Sequence, residues 1–229
     1  MTFRLPPAGL VVLVVAYALA MAYLESAVVV YLRQALGVST GEVFPIDQES
    51  ELSGRLGWIE LGREAATLAM IGSVGWLVGR SGLERLAWAA VIFGIWDIGY
   101  YFWLWVFSGW PTSLGTWDLL FLIPVPWAGP VWAPVAVSLA LVGFGLALAA
   151  RYRAGLRARA GLFPLGALIL GGLVVIVSFI LNAGVVLDGG TPSDFPWSVF
   201  VAGMGIGVVA AVAILRTASP AVEHRTSTA

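Results

Sequence analysis

Apolar runs of bilayer length alternate with short polar connections six times along the chain, at roughly 8–32, 56–79, 86–108, 130–150, 161–183 and 197–215. About 20 apolar residues in an α-helix cross a ~30 Å hydrocarbon core. The pattern therefore predicts an all-α, polytopic membrane helical bundle of about six transmembrane helices, with 1–229 forming a single transmembrane domain. Between 109 and 130 the rhythm breaks. Pro111, Pro124, Pro126 and Pro130 disrupt an α-ladder there, while Asp118 to Val125 stays mostly apolar. This predicts an irregular outer loop that lies in the interface or dips back into the protein, where protein groups must satisfy its backbone.

The first run has a second reading. Arg4, an apolar stretch and the small-residue triplets at Ala18-Leu19-Ala20 and Ala20-Met21-Ala22 resemble a cleavable secretory signal. The run continues through Val28 to Leu32, too long for a signal core, so a retained first helix is expected.

Arginines orient the spans. Arg4, Arg80, Arg85, Arg151, Arg153, Arg157, Arg159, Arg216 and Arg225 fall in alternate connections and at the ends. The other connections are acidic or neutral, with Glu42, Asp47, Glu49 and Glu51 in the first and Asp188 and Asp194 in the fifth. The positive-inside bias then places both termini in the cytoplasm. Composition agrees with a membrane chain: 60% hydrophobic, 11% charged, mean hydropathy +0.94.

Cysteine is absent and His224 is the only histidine, which argues against haem, Fe–S clusters and Cys- or His-ligated metals. No basic arm points to nucleic acid. Gly203-Met204-Gly205-Ile206-Gly207 follows no strand, so it reads as close helix packing rather than a nucleotide loop.

A second set of charges lies inside or beside the apolar runs. An ionisable group at membrane depth costs about 2.5–3.5 kcal/mol at a helix centre, so each is a functional candidate. Glu60, Arg63, Glu64 and Thr67 follow i, i+3, i+4, i+7 along the second helix, a single stripe. Asp97, Tyr100 and Tyr101 begin a similar stripe on the third, and Glu25 and Arg33 share a face of the first. With Asp118 from the 109–130 segment, these residues predict one outer-side acidic and aromatic pocket built by the first three helices, the last three serving as scaffold. Each has a structural alternative: an interfacial salt-bridged turn for Glu60-Arg63-Glu64, a neutral carboxyl bonded to a hydroxyl or an ion pair with Arg63 for Glu25, a local cap or turn for Asp118. The seven tryptophans between 96 and 132 read either as an interfacial belt or as a cavity wall.

Three functions compete. The first is a binding or accessory component holding a small apolar or lipid-like ligand, working as a subunit of a membrane complex or as a homo-oligomer. The second is a membrane enzyme acting through carboxylates, with Glu60, Glu64 and Asp97 as the candidate ligands of an oxygen-bound divalent metal. The third, a proton or cation path, is weakened because the inner halves of the helices carry no relay. No catalytic signature decides among them. The segments Glu25 to Arg33, Glu60 to Met70, Trp96 to Pro111 and Trp117 to Pro134 resemble a group of uncharacterised bacterial polytopic integral membrane proteins. That resemblance implies a bacterial inner-membrane location and carries over no activity, cofactor or catalytic residue.

Overall fold

A computed structural model describes residues 7–37, 55–158, 160–190, 192–217 and 219–220. Arg4, Glu42, Asp47, Glu49, Glu51, Arg159, His224 and Arg225, used above for orientation and exclusion, lie outside the described residues. Of the described residues 76% are helical. The helices are α1 (Pro7–Leu36), α2 (Arg55–Val78), α3 (Gly82–Ser108), α4 (Trp132–Arg153), α5 (Leu162–Ile180), α6 (Ala183–Leu187) and α7 (Trp197–Arg216). Among the described residues five helical stretches are long and apolar enough to cross a membrane: Ala8–Ala35, Gly82–Ser108, Trp132–Arg153, Leu162–Leu187 and Trp197–Arg216. Helix α2 is not in that set, because Arg55, Glu60, Arg63 and Glu64 crowd its first turns.

Helix α3 is the centre of the first half. Ser81 caps its start, the hydroxyl accepting the Glu84 N–H at 3.3 Å, and the Glu84 carboxylate takes the Arg80 N–H at 3.0 Å. Gly109 ends it in the left-handed region (φ 71°), where its N–H reaches the Trp105 carbonyl at 2.9 Å. Helices α1, α2 and α4 all pack on α3, while α1 and α2 scarcely pack on each other. Glycines set these approaches, Gly75 and Gly145 against α3 and Gly94 and Gly99 on α3 itself. A Cβ on Gly99 would come within 2.9 Å of the Ala22 Cβ on α1, and one on Gly94 within 2.6 Å of the Ser138 carbonyl on α4. In the second half, α5 and α7 meet at their backbones. A Cβ on Gly171 would sit 2.6 Å from the Gly207 nitrogen and 2.9 Å from the Gly203 carbonyl.

The segment from 109 to 130 corrects the expectation of an irregular loop. It carries an antiparallel hairpin, β1 (Trp117–Phe121) and β2 (Trp127–Pro130), with Asp118 opposite Gly129 and a bulge between Leu119 and Phe121. Pro124 and Pro126 fall in the connection and Pro130 at the strand end, positions where a missing N–H breaks little of the ladder. The ladder satisfies backbone groups that could not otherwise be buried. Buried they are: Asp118, Ala128, Gly129 and Pro130 are all out of reach of solvent. A second two-stranded pair, β3 (Leu156–Arg157) with β4 (Ser219–Pro220), ties the α4–α5 connection to the end of α7.

Candidate functional site

One cavity of about 140 Å³ lies where α1, α2, α3 and β1 converge. Its lining contains Glu25 and Arg33 from α1, Glu60, Arg63 and Glu64 from α2, Asp97, Tyr100 and Tyr101 from α3, and Asp118 from β1. Trp96 and Phe121 add aromatic wall. All nine residues singled out by spacing and depth in the sequence therefore face a common space.

The α2 turn is tied to α1 by charge. Arg63 forms ion pairs with Glu25 through Nη1 and with Glu60 through Nη2, and its Nε donates to both Glu60 oxygens at 3.0 Å. Thr67, one turn further on, donates to the second Glu25 oxygen at 3.2 Å. The i, i+3, i+4, i+7 spacing puts Glu60, Arg63, Glu64 and Thr67 on one face, and that face meets α1. Both suggested readings of the stripe coexist here: an intrahelical salt bridge and a cross-helix pair with Glu25.

Deeper in the site the partners change. Glu64, 5% exposed, accepts the Leu122 N–H on both oxygens at 3.0 Å, anchoring the end of β1 to α2. Asp118, 2% exposed, accepts the Tyr101 hydroxyl at 3.0 Å, which fixes β1 to α3. It is therefore an inter-element anchor rather than a local turn residue. Burial lifts the Asp118 carboxyl from its ordinary value to about 6, opposed by nearby Arg33 and by the Tyr101 hydroxyl. Asp97, 7% exposed, accepts the Ser138 hydroxyl from α4 at 2.8 Å. Gly94, one turn before Asp97, permits the close α3–α4 approach that brings Ser138 there.

Arg33 is held differently. Its guanidinium carbon lies 4.7 Å from the centre of the Trp110 ring, which is itself buried. Its Nη1 is buried and has no acceptor among the described residues. The indole N–H of Trp96 on the cavity wall is likewise buried without an acceptor. Trp103, Trp110 and Trp127 also bury unpartnered indole N–H groups, though none of these three lines the cavity. The tryptophan cluster thus divides. Trp96 and Trp110 serve the site and its edge, while Trp105 and Trp132 are exposed at 59% and 42%.

The carboxylates do not converge as a metal centre. Among the described residues no three Asp, Glu, His or Cys side chains form a ligand group, and Glu60, Glu64 and Asp97 are not drawn together as the trio anticipated. Their partners explain why: Arg63 engages Glu60, the Leu122 amide engages Glu64 and Ser138 engages Asp97.

Ser138 and Ser26 are the residues that sequence reasoning passed over. Ser26 donates to the Ala22 carbonyl at 2.8 Å and to the Tyr100 carbonyl at 3.0 Å, binding α1 to α3 directly behind the cavity. A lone serine in an apolar helix is an ordinary small residue until its neighbours are known. The assignment of the last three long helices as scaffold changes accordingly, since α4 supplies the hydroxyl that holds Asp97. No protein-family model, curated protein or solved structure matches the chain.

Proposed function

We propose that this is a six-span protein of the bacterial inner membrane, with both termini cytoplasmic, that binds a small lipid-like ligand at its outer side, alone or as an accessory subunit of a membrane complex. The observation that carries the reading is the cavity itself: nine charged or phenolic residues from three helices and a hairpin line it, and two buried donors there lack acceptors among the described residues. Buried polar groups left unpaired cost about 1–3 kcal/mol each, so a bound polar group is their natural complement.

Size favours part of a ligand over the whole of one. Sites for drug-sized molecules run to about 300–1,000 Å³, well above the 140 Å³ here. The cavity takes a headgroup or a small ring, and the rest of an amphiphile lies outside it. The thin contact between α1 and α2 supports a lateral route for that remainder. Val28, Tyr31, Trp58 and Ile59, all exposed on these two helices, supply apolar surface beside it.

Helix α2 serves as the sixth span in this reading. Its 24 residues reach about 36 Å at 1.5 Å per residue, and Glu60, Arg63 and Glu64, which lower its hydropathy, line the cavity, while Arg55 stands exposed at its first residue. Native mass spectrometry of protein released from membranes in mild detergent tests the ligand: a retained amphiphile is expected, and its loss in Arg33→Gln. Protein that carries none, and whose melting is indifferent to added lipid, would sink the proposal. The cysteine-free chain also allows single-cysteine labelling of each connection from either side of the membrane.

A further inference from the structure

We infer that the ligand's polar end is a primary ammonium linked to a phosphate, as in an aminoethyl phosphate headgroup, with the phosphate at Arg33 and Trp96 and the ammonium among Glu64, Asp97 and Asp118. This rests on the lipid-binding reading above and narrows it to one headgroup chemistry.

The lining holds five carboxylates and two guanidiniums. Arg63 is engaged by Glu25 and Glu60 together, so those three groups largely answer one another. Glu64, Asp97 and Asp118 form no ion pair among the described residues. Hydrogen bonding occupies only part of each: the Leu122 and Ile123 amides for Glu64, a serine hydroxyl for Asp97, a tyrosine hydroxyl and the Leu119 amide for Asp118. An ionised carboxylate offers about four lone-pair sites. They do not gather at one point, but as one wall of the cavity they retain acceptor capacity and negative charge, which the N–H donors of a primary ammonium suit.

At Arg33 the need is reversed. Its guanidinium is braced by Trp110, and a buried Nη1 has no acceptor among the described residues. The Trp96 N–H on the same cavity wall is in the same condition. Phosphate oxygens accept from a guanidinium in a forked geometry, with charge-assisted strength. A purely cationic ligand would leave Arg33 and Trp96 unsatisfied. A purely anionic one would add charge beside five carboxylates. A quaternary ammonium has no N–H to offer them. The combination of primary amine and phosphate answers both regions within a small volume, and acyl chains attached to the phosphate would leave between α1 and α2.

The test is a lipid competition on the intact protein. Protein reconstituted in nanodiscs of equal parts phosphatidylethanolamine, phosphatidylglycerol and phosphatidylcholine is released, and its retained lipid is identified by native mass spectrometry. Phosphatidylethanolamine should exceed each of the others about tenfold, the discrimination of one charge-assisted hydrogen bond. Arg33→Gln should lower retention of phosphatidylethanolamine and phosphatidylglycerol alike. Glu64→Gln, which keeps an acceptor for the Leu122 amide, should lower the former only. Free phosphoethanolamine displacing the lipid at equal concentration would keep the headgroup chemistry and assign it to a soluble source. Equal retention of phosphatidylglycerol or phosphatidylcholine in the unmutated protein overturns the headgroup inference while lipid binding stands. Retention of no lipid overturns the underlying reading as well.

Discussion

Helices α5 and α7 meet backbone to backbone at Gly171, Gly203 and Gly207, whereas α1 and α2 scarcely pack together and meet through Glu25, Arg63 and Thr67. Both are answers to one problem. In a bilayer the lipid is as apolar as the helices, so association must come from close packing or from polar contacts. Close packing brings the helix backbones together and leaves only apolar surface beside the seam. Polar attachment holds helices together across a gap, and the gap between α1 and α2 is where the cavity lies. The half with the costly charges holds the polar-lined cavity, whereas the space beside α5 and α7 is an open, wholly apolar groove of about 600 Å³.

That contrast can be broken at either end. The largest effect is expected from Arg63→Ala, which strands Glu25 and Glu60 without their cation. Removing one partner of a buried pair costs about 3–5 kcal/mol, so melting in detergent should fall sharply. Neutralising all three groups as Gln should recover much of the loss. If Arg63→Ala melts like the parent protein, charge does not hold α1 to α2.

Next in size is a pH effect centred on Asp118. Its carboxyl rises from 3.8 to about 6 in the fold, so the folded state binds the proton more tightly than the unfolded chain. The resulting stability is fully present below the unfolded value and is lost as pH rises through about 6. At about 1.4 kcal/mol per pH unit the loss amounts to about 2–3 kcal/mol. Asp118→Asn should flatten this part of the stability profile measured from about pH 3 to about pH 7, a span that brackets the 3.8-to-6 interval. An unchanged profile would place the titration elsewhere.

In the other half, Gly171→Leu drives a side chain into the α7 backbone, at a cost of about 1–3 kcal/mol by overpacking. Lipid retention per folded molecule should be untouched, because the cavity is built without α5 and α7. Coupled loss of stability and ligand would erase the distinction between the halves. The smallest effect is expected from Ser138→Ala, which removes one hydrogen bond to Asp97, about 1–2 kcal/mol by melting. It is still informative, since it asks whether α4 steadies the floor of the cavity.

The sequence by itself determined the helices, their approximate bounds and which faces carry charge. Those follow from local physics: bilayer length, the 3.6-residue period and the cost of an exposed charge in lipid. The stripe at Glu60, Arg63, Glu64 and Thr67 and the position of Asp97 inside α3 were legible for that reason. The partners were not. That Arg63 bridges Glu25 and Glu60, that Ser138 rather than a charge answers Asp97, and that Arg33 rests on Trp110 depend on the rotation and depth of each helix against α3. The 109–130 hairpin escaped the sequence for a related reason. Its strands are five and four residues long, their prolines mask the pattern, and the ladder forms only because the bundle encloses it. Periodicity fixes which residues turn inward; only the packed bundle decides what each one finds there.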